Sequence, residues 1–248
     1  MPCITTVNVF FASVVLSVYP PRSVNSTKAV VSPLPPLTPD DLFALRDRLD
    51  VVDSELHRLF QERFAITEQI GRTKGPDEPI IRPDREVEVV ANRLALHEGP
   101  MPEATLVHIW RCLIGGSCQV QRAFTVHVTA GTLEAARFLY GPVPMERWPT
   151  ASAALVALAE RPDDVAVLPD ADRWWAKPHT AHVFGRFALS SGAHVTLLGG
   201  TRVGTSSGPR ALAVRNDTLQ EFPAGDLSDT DEVLGHYAPP PFTIPVAP

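Results

Sequence analysis

The chain has 248 residues, enough for one large domain or two small ones, and its 44% hydrophobic and 20% charged content is ordinary for a globular protein. A net charge of −6 excludes a nucleic-acid footprint, so any anion site must be a local group of cations in an acidic protein. Three cysteines, Cys3, Cys112 and Cys118, form an odd set without ligand spacing. This argues against a disulfide framework or a zinc site, and favours reduced thiols in the cytoplasm.

Residues 1–37 read as a disordered or mis-started N-terminal extension. The apolar run Val7–Tyr19 is too short and too polar at its edges to span a bilayer, so no membrane partner is expected. No Lys or Arg precedes Arg22, as the start of an export signal would require, although a signal or a strand stays open. Prolines at 33, 35 and 36 suggest a linker.

A long helix follows, over about Pro39 to Lys74. Thr38 suits its N-cap, Pro39 its first turn, and Asp40 and Asp41 its positive end; Gly75-Pro76 stops it. Leu42, Leu45, Leu49, Val52, Leu56 and Leu59 form a seam spaced three and four residues apart. Arg63 takes the next slot, Ile66 and Ile70 resume it, and Lys74 takes the slot after. Such a rod would run roughly 54 Å at 1.5 Å per residue, longer than a small domain, so a partner rod and a homodimer are expected. An inward Arg without an anion is costly, so Arg63 either snorkels to water or faces an anion.

Helix two starts at Pro83 and ends near Gly99-Pro100, with Glu86, Val90 and Leu94 on one face. Helix three runs from about Pro102 to Arg122. Its stripe is Leu106, Ile109/Trp110, Leu113, then the polar Ser117 and Gln121. Gly115-Gly116 weakens that helix and allows a close backbone approach. Each helix thus carries polar residues on a packing stripe, which suggests a polar pocket inside a bundle. The pocket favours an anion, and a dicarboxylate suits the fork of an Arg. With no nucleophile or metal cluster, it implies binding alone or chemistry by placement and electrostatics.

The segment Leu45-Arg46-Asp-Arg-Leu-Asp-Val-Val-Asp53 through Arg63, then Gly71-Arg-Thr-Lys74, Arg85-Glu86 and Ser117-x-x-x-Gln121, resembles the all-helical (type II) chorismate mutases. The resemblance covers about residues 40–122. It implies an all-α three-helix domain over 38–122, an intertwined dimer with shared sites, and cofactor-free rearrangement of chorismate to prephenate. It also implies a role for each matching residue. Arg63 and, from the other subunit, Arg46 would hold the two carboxylates. Lys74 and Gln121 would donate to the ether oxygen, Lys74 reaching a carboxylate as well. Glu86 would accept from the ring hydroxyl, Ser117 would orient a carboxylate, and Arg85 would buttress the network. Arg82 stands where some members have Asp, so any substrate contact there would run through backbone or water. The alternatives are that Ser117 bonds its own helix, Glu86 favours the helix dipole, and Arg46 and Arg85 form surface ion pairs. A non-catalytic binding protein or a related chorismate-processing lyase on the same helices also stays open.

From Phe124 the texture changes to alternating strands and helices, predicting a small α/β domain over 124–218. Strands are expected at 124–128, 145–148, 164–168, 183–189, 193–198 and 210–214. Helices are expected at 132–140 and, capped by Thr150, at 151–160. Trp174-Trp175 is expected to pack in the core. Trp148-Pro-Thr-Ala-Ser-Ala-Ala-Leu followed by Asp-Val-Ala-Val-Leu-Pro169 resembles a truncated, degenerate prephenate dehydratase domain. The family's Thr-Arg-Phe run is replaced by Pro209-Arg210-Ala211, which implies a packing or ligand-sensing unit. Gly199-Gly-Thr-Arg-Val-Gly204 lacks the βαβ context of a dinucleotide loop and is expected to be a flexible loop. Residues 219–248, acidic and then Pro-rich, are expected to be a flexible tail.

Overall fold

The computed structural model describes residues 38–246; the expectations for residues 1–37 lie outside them. The chain divides into two compact units, residues 1–50 and 51–248. Of the first, the described part is Thr38 and the opening of helix α1 (Pro39–Thr73). Thr38 and Asp41 close a reciprocal cap there. The Asp41 amide donates to Thr38 Oγ1 at 3.1 Å, and the Thr38 amide donates to Asp41 Oδ2 at 3.0 Å. This pairing of orphan groups holds Asp41 below its ordinary pKa and explains why the helix begins where the sequence places it.

The second unit contains the rest of α1, then α2 (Pro83–Ala95) and α3 (Glu103–Gln121). Beyond these come β1 (Val126–Val128), α4 (Leu133–Tyr140), β2 (Met145–Arg147), α5 (Ala151–Glu160) and β3 (Val165–Pro169). The chain closes with β4 (His182–Ala188), β5 (His194–Gly199), β6 (Arg210–Arg215), β7 (Thr218–Pro223) and β8 (Glu232–Tyr237). The eight strands form one mixed sheet in the order β2-β1-β3-β5-β4-β8-β6-β7. β1 runs parallel to β2 and β3, while β3/β5, β4/β5, β6/β7 and β6/β8 are antiparallel.

Alternation along the strands gives the sheet two packed faces. Val126, Val128, Val165, Val167, Val195 and Leu197 meet α4 on one face. Ala166, Leu168 and Leu198 meet α5 and the fully buried Trp174 on the other. Thr150 caps α5 as its sequence predicts, accepting from the Ala153 amide at 3.2 Å.

Three expectations are corrected. The division at 122–124 is not a break in packing: Ile80, Ile81 and Cys118 of the helical region lie in the same core as Val126, Leu139 and Phe184. Ile80, Ile81 and Cys118 are covered by the sheet side, while Val90, Val107 and Ile114 form a separate cluster between α2 and α3. Residues 219–246 are not a tail, since most of β7 and all of β8 lie within them and Ile244 is fully buried. Arg215–Asp231 at 2.5 Å and Tyr237–Glu221 replace the greasy alternation that strands usually show. The Gly199–Gly204 run is a packed turn, with the Gly200 amide donating to Asp164 O at 3.0 Å and Arg202 to Pro162 O at 2.8 Å.

The apolar seam of α1 stays largely uncovered among the described residues. Val52, Leu56, Leu59, Ile66 and Ile70 of the second unit are each about half exposed, as are Leu42, Leu45 and Leu49 of the first. In α3 the buried face is rotated from the predicted stripe: Val107, Arg111, Ile114, Gly115, Ser117 and Cys118 are buried, whereas Ile109 is exposed.

Candidate active site

The half-buried face between α1 and α3 gathers three of the predicted residues. The Arg63 guanidinium donates to Ser117 Oγ at 2.5 Å and to Leu113 O at 3.2 Å. Ser117 in turn donates to Leu113 O at 2.6 Å, so it both bonds its own helix and receives the Arg. The ring of Trp110 lies 5.9 Å from Arg63 Cζ, and Arg93 reaches the same ring at 5.4 Å. No carboxylate pairs with Arg63 among the described residues, and burial pushes its pKa down. Holding a half-buried cation without a counter-charge is costly.

Gln121 stands one turn further along α3. Its Nε2 donates to Ser117 O at 3.2 Å, while its buried Oε1 has no partner. Gly71 of α1 faces it, and a Cβ there would lie 2.9 Å from Gln121 Cγ and 3.1 Å from its Cα. The absence of a side chain at 71 therefore lets α1 press on this amide. The two glycines of α3 act similarly. A Cβ at Gly115 would meet Tyr140 O at 2.5 Å, and one at Gly116 would meet the Phe64 ring at 3.1 Å.

Glu86 has a protein partner that its sequence position did not suggest. Its carboxylate takes the guanidinium of Arg111 at 2.9 Å, with both side chains buried. Arg111 also donates to Leu139 O at 2.9 Å and lies 5.6 Å from the Tyr140 ring. Glu86 is thus tied to the α3–α4 side rather than to Arg63. Arg111 was not foreseen. It occupies a buried stripe between Val107 and Ile114, so the signal that singled out Arg63 also marks it, on the face of α3 that the sequence reading did not choose.

The remaining predicted residues lie apart from that face. Lys74 is half-buried, donates to Pro79 O at 2.9 Å, and has its pKa lowered, chiefly by burial. Arg82 is exposed at the start of α2, where its carbonyl accepts from the Glu86 amide at 3.1 Å. Arg85 is exposed and pairs with Glu88 at 2.7 Å, a surface ion pair in place of a buttress. Arg46 is exposed on the first unit. Buried between the two polar groups, Cys118 feels the charges of Glu86, Arg111, Lys74 and Arg63, and burial drives its pKa up. Among the described residues no group of three His, Cys, Asp or Glu is placed to hold a metal ion.

The α1–α3 face thus holds a guanidinium fork, a hydroxyl and an amide, while the Lys74 ammonium lies just past the end of α1 on Pro79 O. All four are hydrogen-bond donors, and two of them are cations. Residues 45–122 match the family described as chorismate mutase type II. A bifunctional chorismate mutase/prephenate dehydratase from Neisseria gonorrhoeae (strain ATCC 700825 / FA 1090) is 32% identical over 81 residues, 33% of this chain and 22% of the relative. Another, from Aquifex aeolicus (strain VF5), is 33% identical over 92 residues, 35% of this chain and 25% of the relative. The chain thus spans about a quarter of the length of these curated relatives. No solved structure gives a significant match. No helix among the described residues is long and apolar enough to cross a membrane.

Proposed function

We propose that the protein is a chorismate mutase, converting chorismate to prephenate for aromatic amino-acid synthesis. The observation that carries this reading is Arg63: a half-buried cation with only neutral partners among the described residues, beside Ser117 and the Gln121 amide, inside the segment that matches the mutase family. Arg63 takes one substrate carboxylate, steadied by Ser117. Lys74 and Gln121 donate to the ether oxygen, where negative charge grows as the C–O bond breaks. Donors fixed there bind the transition state better than the substrate, and clamping the carboxylates holds the compact conformer. No covalent intermediate is required.

The same reading makes the protein a homodimer. The half-exposed α1 seam is a contiguous apolar surface of the kind that soluble monomers avoid. A second α1 against it would bring Arg46 of one subunit to the other's site. The free thiols Cys112 and Cys118 fit a reducing compartment such as the cytoplasm.

The test is the loss of chorismate absorbance with purified protein, wild type against Lys74→Ala and Gln121→Ala. Turnover that falls at least about a hundredfold in both variants supports the assignment. Wild type without turnover, or variants equal to it, refutes it. Mixing Arg46→Ala with Arg63→Ala protein is expected to restore some activity through subunit exchange. Verified mixed dimers without recovery refute the shared site. One observation favours a second reading, a chorismate-binding protein without turnover: Glu86, which the family's reaction needs at the ring hydroxyl, is held by Arg111.

A further inference from the structure

We propose that residues 199–208, the Gly-rich turn and the serines after it, are a positioning clamp for the mutase site. They fix the 75–84 segment, which joins Lys74 to α2. The proposal rests on the mutase reading above and assigns a task to a region outside the matched family segment.

The contacts are backbone-to-backbone and charge-assisted rather than casual. The Gly204 amide donates to Ile81 O at 3.0 Å, and a Cβ at Gly204 would lie 2.7 Å from that oxygen. Only glycine allows the two chains this approach. Two residues on, Ser206 Oγ donates to the Asp84 carboxylate, and Ser207 adds its amide at 2.9 Å and its hydroxyl at 3.0 Å. Asp84 lies in the first turn of α2, so this grip fixes the helix start as well as the segment before it. The clamp is itself anchored. Val203 is buried in the core that contains Ile80 and Ile81, and the turn bonds Asp164 O and Pro162 O. Arg202 pairs with Asp163 at 3.2 Å, and Asp163 with Arg122, which donates to Gly75 O at 3.1 Å and Glu78 O at 3.3 Å. Lys74 meets this held segment through its own bond to Pro79 O at 2.9 Å. The position of its ammonium is therefore set by residues more than a hundred positions away in sequence.

Gly204→Ala in the full chain is the direct test, with Ser206→Ala/Ser207→Ala as a milder variant that decides the matter should the first not fold. Amide hydrogen exchange over 75–84 is expected to quicken at least tenfold, with α5 and β3 unchanged. Chorismate turnover is expected to lose about tenfold in kcat with KM within threefold, because Lys74 acts on the developing oxygen charge. In a Lys74→Ala background the same substitution is expected to cost less than twofold, a non-additivity that a general loss of packing does not produce. Unchanged exchange, or an equal loss in both backgrounds, overturns the clamp. Wild type active with both variants matching it removes the clamp and leaves the mutase assignment intact. Wild type without turnover removes the assignment, and the proposal with it.

Discussion

The two faces of α3 each hold a buried or half-buried arginine, and they treat it oppositely. On one face Arg111 meets the Glu86 carboxylate, a backbone carbonyl and an aromatic ring, so its charge is matched within the protein. On the other, Arg63 meets a hydroxyl, a carbonyl and two rings, and its charge is matched by nothing among the described residues. The first charge is neutralised within the protein; the second has no counter-charge among the described residues. Burial alone does not separate a structural arginine from a ligand-binding one, but the charge of its partners does.

That contrast yields a graded set of outcomes. Arg111→Ala strands the Glu86 carboxylate in the interior and is expected to cost about 3–5 kcal/mol in denaturant unfolding. Replacing both partners, Glu86→Leu with Arg111→Met, is expected to cost less than either single change. A larger loss in the double variant breaks the claim that this pair is structural. Arg63→Ala removes a charge that pairs with no carboxylate among the described residues. Melting is expected to move little while kcat/KM for chorismate falls about 10²–10³-fold; a collapse in melting with activity retained reverses the assignment of the two faces. Smallest is Arg85→Ala: its pair with Glu88 is more than half exposed, and stability is expected to change by less than about 0.5 kcal/mol in thermal melts.

Much of this was legible in the residues. The 3.5-residue seam, Thr38 and Gly75 place α1, and strands β1 to β6 fall where alternation or short apolar runs put them. β7 and β8 were not legible, because Thr218–Pro223 and Glu232–Tyr237 are polar strands paired through β6 and tied by Glu221 and Asp231. Of the candidate site, Arg63, Ser117 and Gln121 converge. Glu86 does not join them, since its partner Arg111 sits on a helical face that periodicity alone could not choose. Gly71 stood inside a recognised motif, yet only the space beside Gln121 explains it. The register of one helix against another is a tertiary quantity; spacing along a helix gives its faces but not which face meets which neighbour.

The core shared by Ile80, Ile81 and Cys118 with the sheet bears on how this protein can be divided. A fragment ending at residue 122 would uncover that oily surface and lose the strands that cover it. Its expected fate is clumping rather than autonomous folding. Anyone trimming the gene to its enzyme-like third, or exchanging that third for a cousin's, would have to repack the seam between the halves first.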